Sequence, residues 1–200
     1  MGWITTEAEL EALYGTPPEA ALIKVAQRLT PAYRAWIARS RFCLVATVGP
    51  EGTDCSPRGD DGPVVLELDP GTLALPDWRG NNRIDTLRNI VRDGRISLSF
   101  LVPGSTTLIR VNGTARLSAD PALTGRFEQK GRHPRTVIVV AIAEVYSQCA
   151  RALIRADLWN RNDAVGLPTV GDFLIELTEG AFDGKGYDAA WGARAAETMW

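Results

Sequence analysis

The stretch from residue 42 to residue 117 alternates short apolar or β-branched runs with sequences typical of tight turns. The intervening segments contain Gly and Pro, which favour turns over continued helix or strand. Strands connected in this way predict an antiparallel barrel or sandwich. A strongly β-branched run further along the chain predicts another central strand. The expected strands cover 42–48, 64–68, 72–75, 96–102, 107–117 and 136–145.

Helices are expected on both sides of these strands. Thr6 and Glu9 have capping-box spacing for a helix that ends near Tyr14. Apolar residues at helical spacing predict a second helix over 21–29, and Pro31 opens a third. We therefore expect a mainly β, α+β fold in a single domain over 1–200. Its parts are a helical segment at 1–40, a barrel core at 41–146, and a C-terminal helix with a peripheral arm at 147–200.

Charge and cysteine content exclude several classes of function. The 200 residues carry a net charge of −2, which argues against a nucleic-acid or membrane-surface partner. Three widely spaced cysteines and one histidine give no metal-ligand pattern and no disulfide framework, so a reducing cytoplasm is expected. The first residues lack the apolar core of a signal peptide. No apolar run approaches the roughly 18 residues that a membrane-spanning helix needs.

A helix is expected within 76–94, directly after an apolar strand, and its start is unusual. Asn81 or Asn82 suits the N-cap position, and Gly94 ends the helix. Arg83 then lies in the first turn, where a cation opposes the helix dipole. A bound phosphate would reverse the sign of that interaction and accept hydrogen bonds from the guanidinium. An exposed arginine with no ligand remains the alternative. The apolar stripe expected to pack on the barrel is Ile84, Leu87, Ile90 and Val91.

A second arginine lies beside another backbone irregularity. Pro57 removes a ladder donor, so Ser56-Pro57-Arg58 is expected on an edge strand or at a bend. A solvated charge is a common feature of edge strands, and Arg58 fits that interpretation without a ligand. Two arginines from separate elements, each beside such an irregularity, favour a shared phosphate site.

The ordered combination of these motifs resembles the pyridoxamine 5'-phosphate oxidase-like superfamily of FMN-binding split β-barrels. The matching parts are SPRG at 56–59, GNNR at 80–83 and the VNG sequence at 111–113, in that order. The continuation at 144–159 resembles a subgroup of uncharacterised, probable FMN-dependent enzymes. The resemblance extends from about Trp3 to Gly171. It implies an FMN cofactor and a homodimer in which each flavin lies between subunits.

The resemblance also implies roles for particular residues. Three segments are expected around the flavin. Ser56, Pro57 and Arg58 would follow it, Leu75, Pro76 and Asp77 would pass the ring edge with backbone groups, and Asn81, Asn82 and Arg83 would hold the phosphate. Thr107 is expected at the pyrimidine side of the ring. Gln148, Arg151 and Arg155 would come from the partner chain, the alternative being exposed polar residues of a helix.

Departures from the family pattern bear on the activity. The phosphate helix has one basic residue instead of an Arg-Lys pair, and the C-terminal arginine and histidine that bind substrate in pyridoxamine phosphate oxidases are absent. His133 lies in a loop and is expected to be structural or solvated. We expect an FMN-dependent oxidoreductase of unknown small-molecule substrate, with NAD(P)H as a candidate donor. The alternatives are a non-catalytic flavin-binding or storage protein, and the same barrel binding deazaflavin or haem.

Overall fold

The computed structural model describes residues 2–200, which form seven strands and eight helices. The strands are β1 (Phe42–Gly49), β2 (Gly52–Gly59), β3 (Leu66–Asp69), β4 (Thr72–Asp77), β5 (Arg95–Leu101), β6 (Leu108–Ser118) and β7 (Thr136–Gln148). The helices are α1 (Glu7–Tyr14), α2 (Glu19–Ile23), α3 (Pro31–Ile37), α4 (Asp85–Arg92), α5 (Pro121–Thr124), α6 (Arg151–Ala156), α7 (Val170–Leu177) and α8 (Gly184–Thr198).

All seven strands belong to one antiparallel sheet in the order β2-β1-β5-β6-β7-β4-β3. The sheet is open, with β2 and β3 at its two ends. A bulge between Asn112 and Gly113 interrupts the pairing of β6 with β7. Gly113 is required there, because an added Cβ would lie 2.0 Å from the Ala141 carbonyl oxygen. The α+β split barrel expected from the sequence is confirmed.

The core is one cluster of buried residues that the sheet shares with helices α3 and α4. It is built from alternate residues of the long strands, and the largest fully buried side chains include Phe100, Leu73 and Leu98. Helix α4 covers one side of β1, with Ile90 buried and Leu87 partly buried against the core. Asn89 donates to the Thr47 hydroxyl at 3.2 Å, which fixes α4 on the strand. The expected apolar stripe is therefore only half correct, since Ile84 is 45% exposed and Val91 is 75% exposed.

The N-terminal segment contains less helix than its sequence predicts. The capping box of Thr6 and Glu9 is present, yet none of the residues of α1 is buried. The second helix ends at Ile23 and does not continue to 29. Ala26 pairs instead with Val145 as an isolated bridge, with N–H to carbonyl distances of 2.9 and 2.7 Å. Because these two residues exchange backbone hydrogen bonds, the chain leaves the helix to join the sheet.

The residues after the barrel also differ from expectation at one boundary. Strand β7 continues to Gln148, where the sequence predicted a helix starting near Ser147. Leu108 on β6 pairs with Gln148, so the ladder extends the strand beyond its β-branched portion. The expected C-terminal arm is a 15-residue helix, α8, that packs on α7. Glycines allow the two helices to meet, because a Cβ on Gly171 would lie 2.2 Å from the Gly184 carbonyl oxygen. Across residues 2–200, no helix has the length and apolar character needed to cross a membrane.

Candidate ligand-binding cleft

Strand β2 presents a polar face to a cleft at the open end of the sheet. Asp54, Ser56, Arg58 and Asp60 alternate with more exposed residues along the segment. Their register partners on β1 include Cys43, Val45 and Thr47, which are all buried, so the polar face lies on the core side of the sheet. Burial raises the pKa of the Cys43 thiol to about 12, so this cysteine is an inert core residue.

Arg58 reaches across the cleft to the end of β4. Its Nη2 lies 3.3 Å from Asp77 Oδ1, and its Nη1 donates to the Ser56 hydroxyl and, at 3.0 Å, to the Pro57 carbonyl. Burial raises the pKa of Asp77, and the charge of Arg58 only partly offsets that effect. Leu75 and Pro76 are buried within β4, so Asp77 alone of this predicted segment lines the cleft.

The 79–84 loop forms the next wall of the cleft, and its geometry corrects the predicted helix start. The Asn81 side chain accepts from the Arg83 backbone N–H at 3.1 Å, which closes a turn before the helix begins. Asn82 (φ 60°) and Ile84 (φ 54°) are both left-handed, and Ile84, without a side-chain cap, precedes α4. The predicted N-cap at Asn81 or Asn82 is therefore wrong, and Arg83 lies ahead of the first turn.

Arg83 has a carboxylate partner of its own. Its Nε lies 2.9 Å from Asp85 Oδ2, and its side chain is 79% exposed. Asp85 is the first residue of α4 and favours that position because a carboxylate there complements the helix dipole. The unusual cation in the sequence is thus balanced locally, and an exposed pair of this kind contributes about 0–1 kcal/mol. An anionic ligand that binds Arg83 would therefore displace only the weakly held Asp85 carboxylate.

Asp60 joins three segments around the cleft. It accepts from the Trp78 indole N–H at 2.7 Å and from the Gln129 amide at 2.6 Å, and it caps the Asp61 N–H at 2.7 Å. This carboxylate therefore fixes the loop after β2, the residue after β4 and the segment before β7 relative to one another. Sequence reasoning did not identify Asp60 or Trp78 as site residues, because their partners lie far away along the chain.

The loop before β7 supplies further residues of the cleft. Lys130, Arg132, His133 and Arg135 line it together with Thr136, the first residue of β7, and the cleft has a volume of about 1500 Å³. His133 Nδ1 lies 2.6 Å from the Phe127 carbonyl oxygen. Because a carbonyl only accepts, Nδ1 is the donor, and Nε2 of the neutral ring is the acceptor. His133 lies in a loop, as the sequence predicts, and this loop lines the cleft.

Thr136 carries a buried polar atom with no partner. Its Oγ1 is shielded from solvent and forms no hydrogen bond within the described chain. Thr136 pairs in register with Asp77 and lines the same cleft. A buried hydroxyl without a partner costs about 1–3 kcal/mol, so a ligand group or an ordered water is expected to satisfy it.

Three predicted site residues lie elsewhere on the chain. Thr107, Gln148 and Arg151 are absent from the lining of this cleft. They gather at the other ends of β6 and β7, where Leu108 pairs with Gln148 and the Arg151 N–H approaches the Cys149 sulfur at 3.5 Å. The cleft does bring together Ser56, Pro57, Arg58, Asp77, Asn81, Asn82 and Arg83.

An open antiparallel barrel with a polar, arginine-containing cleft beside its edge strand defines the protein as a split β-barrel. The family model described as Pyridoxamine 5'-phosphate oxidase matches residues 29–149, more than half of the chain. The chain therefore belongs to this family. None of the curated proteins with which it was compared matches it.

Several solved structures are similar to this chain. HupZ from Group A Streptococcus is 17% identical with a TM-score of 0.49, over 60% of this chain and 94% of that chain. A putative pyridoxamine 5'-phosphate oxidase from Lactobacillus delbrueckii is 24% identical with a TM-score of 0.48, over 60% and 95%. An FMN-binding protein from Syntrophomonas wolfei is 16% identical with a TM-score of 0.46, over 58% and 83%.

Proposed function

We propose that this chain binds FMN in the cleft and acts as an oxidoreductase on a small organic molecule. The observation that carries the proposal is the convergence of hydrogen-bond donors from separate elements. Arg58 comes from β2, and Asn81, Asn82 and Arg83 come from the loop before α4. The family assignment and the FMN-binding protein among the similar structures support the same ligand.

The residues present fit a flavin phosphate. The Arg83 side chain is mostly exposed and held only by an exposed carboxylate, so it is free to turn toward a phosphate. The amides of Asn81 and Asn82 add donors, and a guanidinium binds phosphate oxygens in a bidentate manner. The unpartnered Thr136 hydroxyl offers a hydrogen bond to a ligand from the β7 side of the cleft.

The flavin, when bound, would supply the electron-transfer chemistry, and the chain would supply binding and orientation. In this proposal Arg58 presents a positive charge beside the ligand while its contacts with Ser56 and Asp77 hold the guanidinium in place. Asp77 is the titratable group of the cleft whose pKa is raised, so it is the candidate to hold a proton near the ligand. NAD(P)H is the proposed electron donor.

A second copy of the chain would complete the site. Thr107, Gln148 and Arg151, with Arg155, were expected near the flavin but lie outside the cleft of their own chain. The outward face of β1 is available for a partner, because Phe42 and Leu44 are each 38% exposed. We therefore include a homodimer in the proposal, with these polar residues reaching the partner's cleft. We also propose a cytoplasmic location, since all three cysteines are free.

Haem is the second candidate ligand, and one observation favours it. His133 lines the cleft, and its Nδ1 is already held by the Phe127 carbonyl oxygen, so Nε2 would be the atom that holds a haem iron. Against haem, His133 lies in a loop directly before Pro134. Deazaflavin and a flavin-storage role use the same phosphate contacts and remain alternatives to catalysis with FMN.

An absorption spectrum of the purified chain, before and after FMN addition and desalting, tests the proposal. Retained flavin bands at about one FMN per chain are expected, because the proposed phosphate donors of a chain all line the same cleft. Bleaching by NADH or NADPH would then separate an oxidoreductase from a storage protein. A Soret band on adding haem, lost in His133→Ala, together with no retained FMN, would overturn the flavin assignment.

A further inference from the structure

The residues after α8 return to the barrel and cover part of the cleft. Met199 and Trp200 both line it, although they lie more than 60 residues from every other lining residue in the sequence. The Trp200 ring contacts the Trp78 ring edge to face, with centroids 5.3 Å apart and planes at 84°. Edge-to-face contact is a favoured geometry for aromatic pairs.

The two tryptophans are held differently. Trp78 is fixed by its indole N–H, which donates to Asp60 at 2.7 Å, and Asp60 is in turn tied to Gln129. Trp200 forms no side-chain hydrogen bond among the described residues and is held through its main chain. One ring is thus part of the rigid wall, and the other belongs to a segment with few attachments.

A single arginine provides the main polar attachment of that segment. Arg132 Nη1 donates to the Trp200 carbonyl oxygen at 2.8 Å and to the Glu197 carbonyl oxygen at 3.2 Å. The second contact is to the last turn of α8, where a cation is favoured by the helix dipole. Exposed polar contacts of this kind are weak and break readily, so residues 199–200 cover the cleft without being held there firmly.

We propose that residues 199–200 form a gate over the cleft, closed by the contact of Trp200 with Trp78 and by the Arg132 hydrogen bonds. The inference rests on the proposed function, in that the ligand passing the gate is the flavin or its substrate. Opening requires the loss of the Trp200–Trp78 contact and of the Arg132 hydrogen bond to Trp200, while the wall residues Asp60 and Trp78 stay in place. Trp200 then determines access to the cleft and the size of molecule admitted.

The test is the rate of FMN binding to the full chain, measured by stopped-flow flavin fluorescence. Trp200→Ala should raise the association and dissociation rates together, by about two- to tenfold, the factor that corresponds to one aromatic pair. The dissociation constant should stay nearly unchanged, and Trp200→Phe should restore slow rates. The matched control is Trp191→Ala, an exposed tryptophan on α8 that does not line the cleft.

Hydrogen–deuterium exchange on the chain without ligand tests the gate independently of the flavin. Arg132→Ala and Trp200→Ala should both speed exchange in peptides covering 194–200, with melting temperatures close to that of the unsubstituted chain. Unchanged exchange in both variants, or a Trp200→Ala effect confined to the dissociation rate, would overturn the gate. If the unsubstituted chain binds no FMN, the proposed function fails, and the exchange result alone decides whether the closed segment exists.

Discussion

Replacing Arg83 with Ala tests the phosphate assignment most directly. The side chain is 79% exposed and its partner in the unliganded chain is Asp85, at 2.9 Å. A charge-assisted hydrogen bond to phosphate is worth about 1.5–3 kcal/mol, and releasing the guanidinium from an exposed carboxylate costs about 0–1 kcal/mol. The net loss in Arg83→Ala should therefore be about 0.5–3 kcal/mol, a roughly 2- to 150-fold rise in the FMN dissociation constant.

Comparing FMN with riboflavin isolates the phosphate term. Riboflavin lacks the phosphate, so its affinity should be the same for Arg83→Ala and the unsubstituted chain. Titration calorimetry or quenching of flavin fluorescence gives both constants. Arg88→Ala is the matched control, because Arg88 also pairs with Asp85, at 3.4 Å, but does not line the cleft. An equal loss of FMN and riboflavin affinity, or no loss of either, would refute the assignment of Arg83 to the phosphate.

Three further predictions follow from local geometry. Carboxyl NMR titration should place the pKa of Asp77 above its ordinary value, and Arg58→Ala should raise that pKa further, because the Arg58 charge lowers it. Since the folded pKa is raised, protonated Asp77 contributes stability that is fully present below the unfolded pKa. That contribution is lost as pH rises through the folded pKa. An Asp77 pKa that does not rise in Arg58→Ala would show that the pair is not formed. Ile84→Asn should increase the free energy of unfolding by about 1 kcal/mol in urea titration, because a β-branched residue at φ 54° is strained; a loss of stability would contradict that account. Gly171→Ala should lower the free energy of unfolding by about 1–3 kcal/mol, since its Cβ would lie 2.2 Å from the Gly184 carbonyl oxygen, and an unchanged melting curve would show that α7 and α8 separate freely.

The barrel was predictable because its signals are local. Alternating apolar residues and Gly-Pro turns specify strands one at a time, and six of the strands were expected near their observed positions. Only β2 was described in the sequence through its Ser56-Pro57-Arg58 segment, and the structure places that segment on an edge strand as Pro57 requires. The errors occur where a distant partner decides the conformation. Ala26 leaves its helix to pair with Val145, and Gln148 stays in a strand because Leu108 pairs with it.

The cleft was predictable only in part for the same reason. The two arginine-containing segments were predicted as site residues because each has a local irregularity, Pro57 in a strand and two asparagines before Arg83. Asp60, Trp78 and Trp200 carry no such signal, and their roles emerge only when segments more than 15 residues apart meet in space. The N-cap error has a local cause: the Asn81 side chain can close a turn as readily as it can cap a helix, and the turn forms.

The position of β2 at the end of the sheet has a consequence for how such a site can change over evolutionary time. β2 has one hydrogen-bonded neighbour, β1, whereas the strands that bury most of the core have two. Substitutions on its polar face therefore alter the chemistry of the cleft while leaving the central pairings untouched. A lineage built on this barrel can exchange one ligand for another by mutating an outer strand and three loops, without passing through an unfolded ancestor.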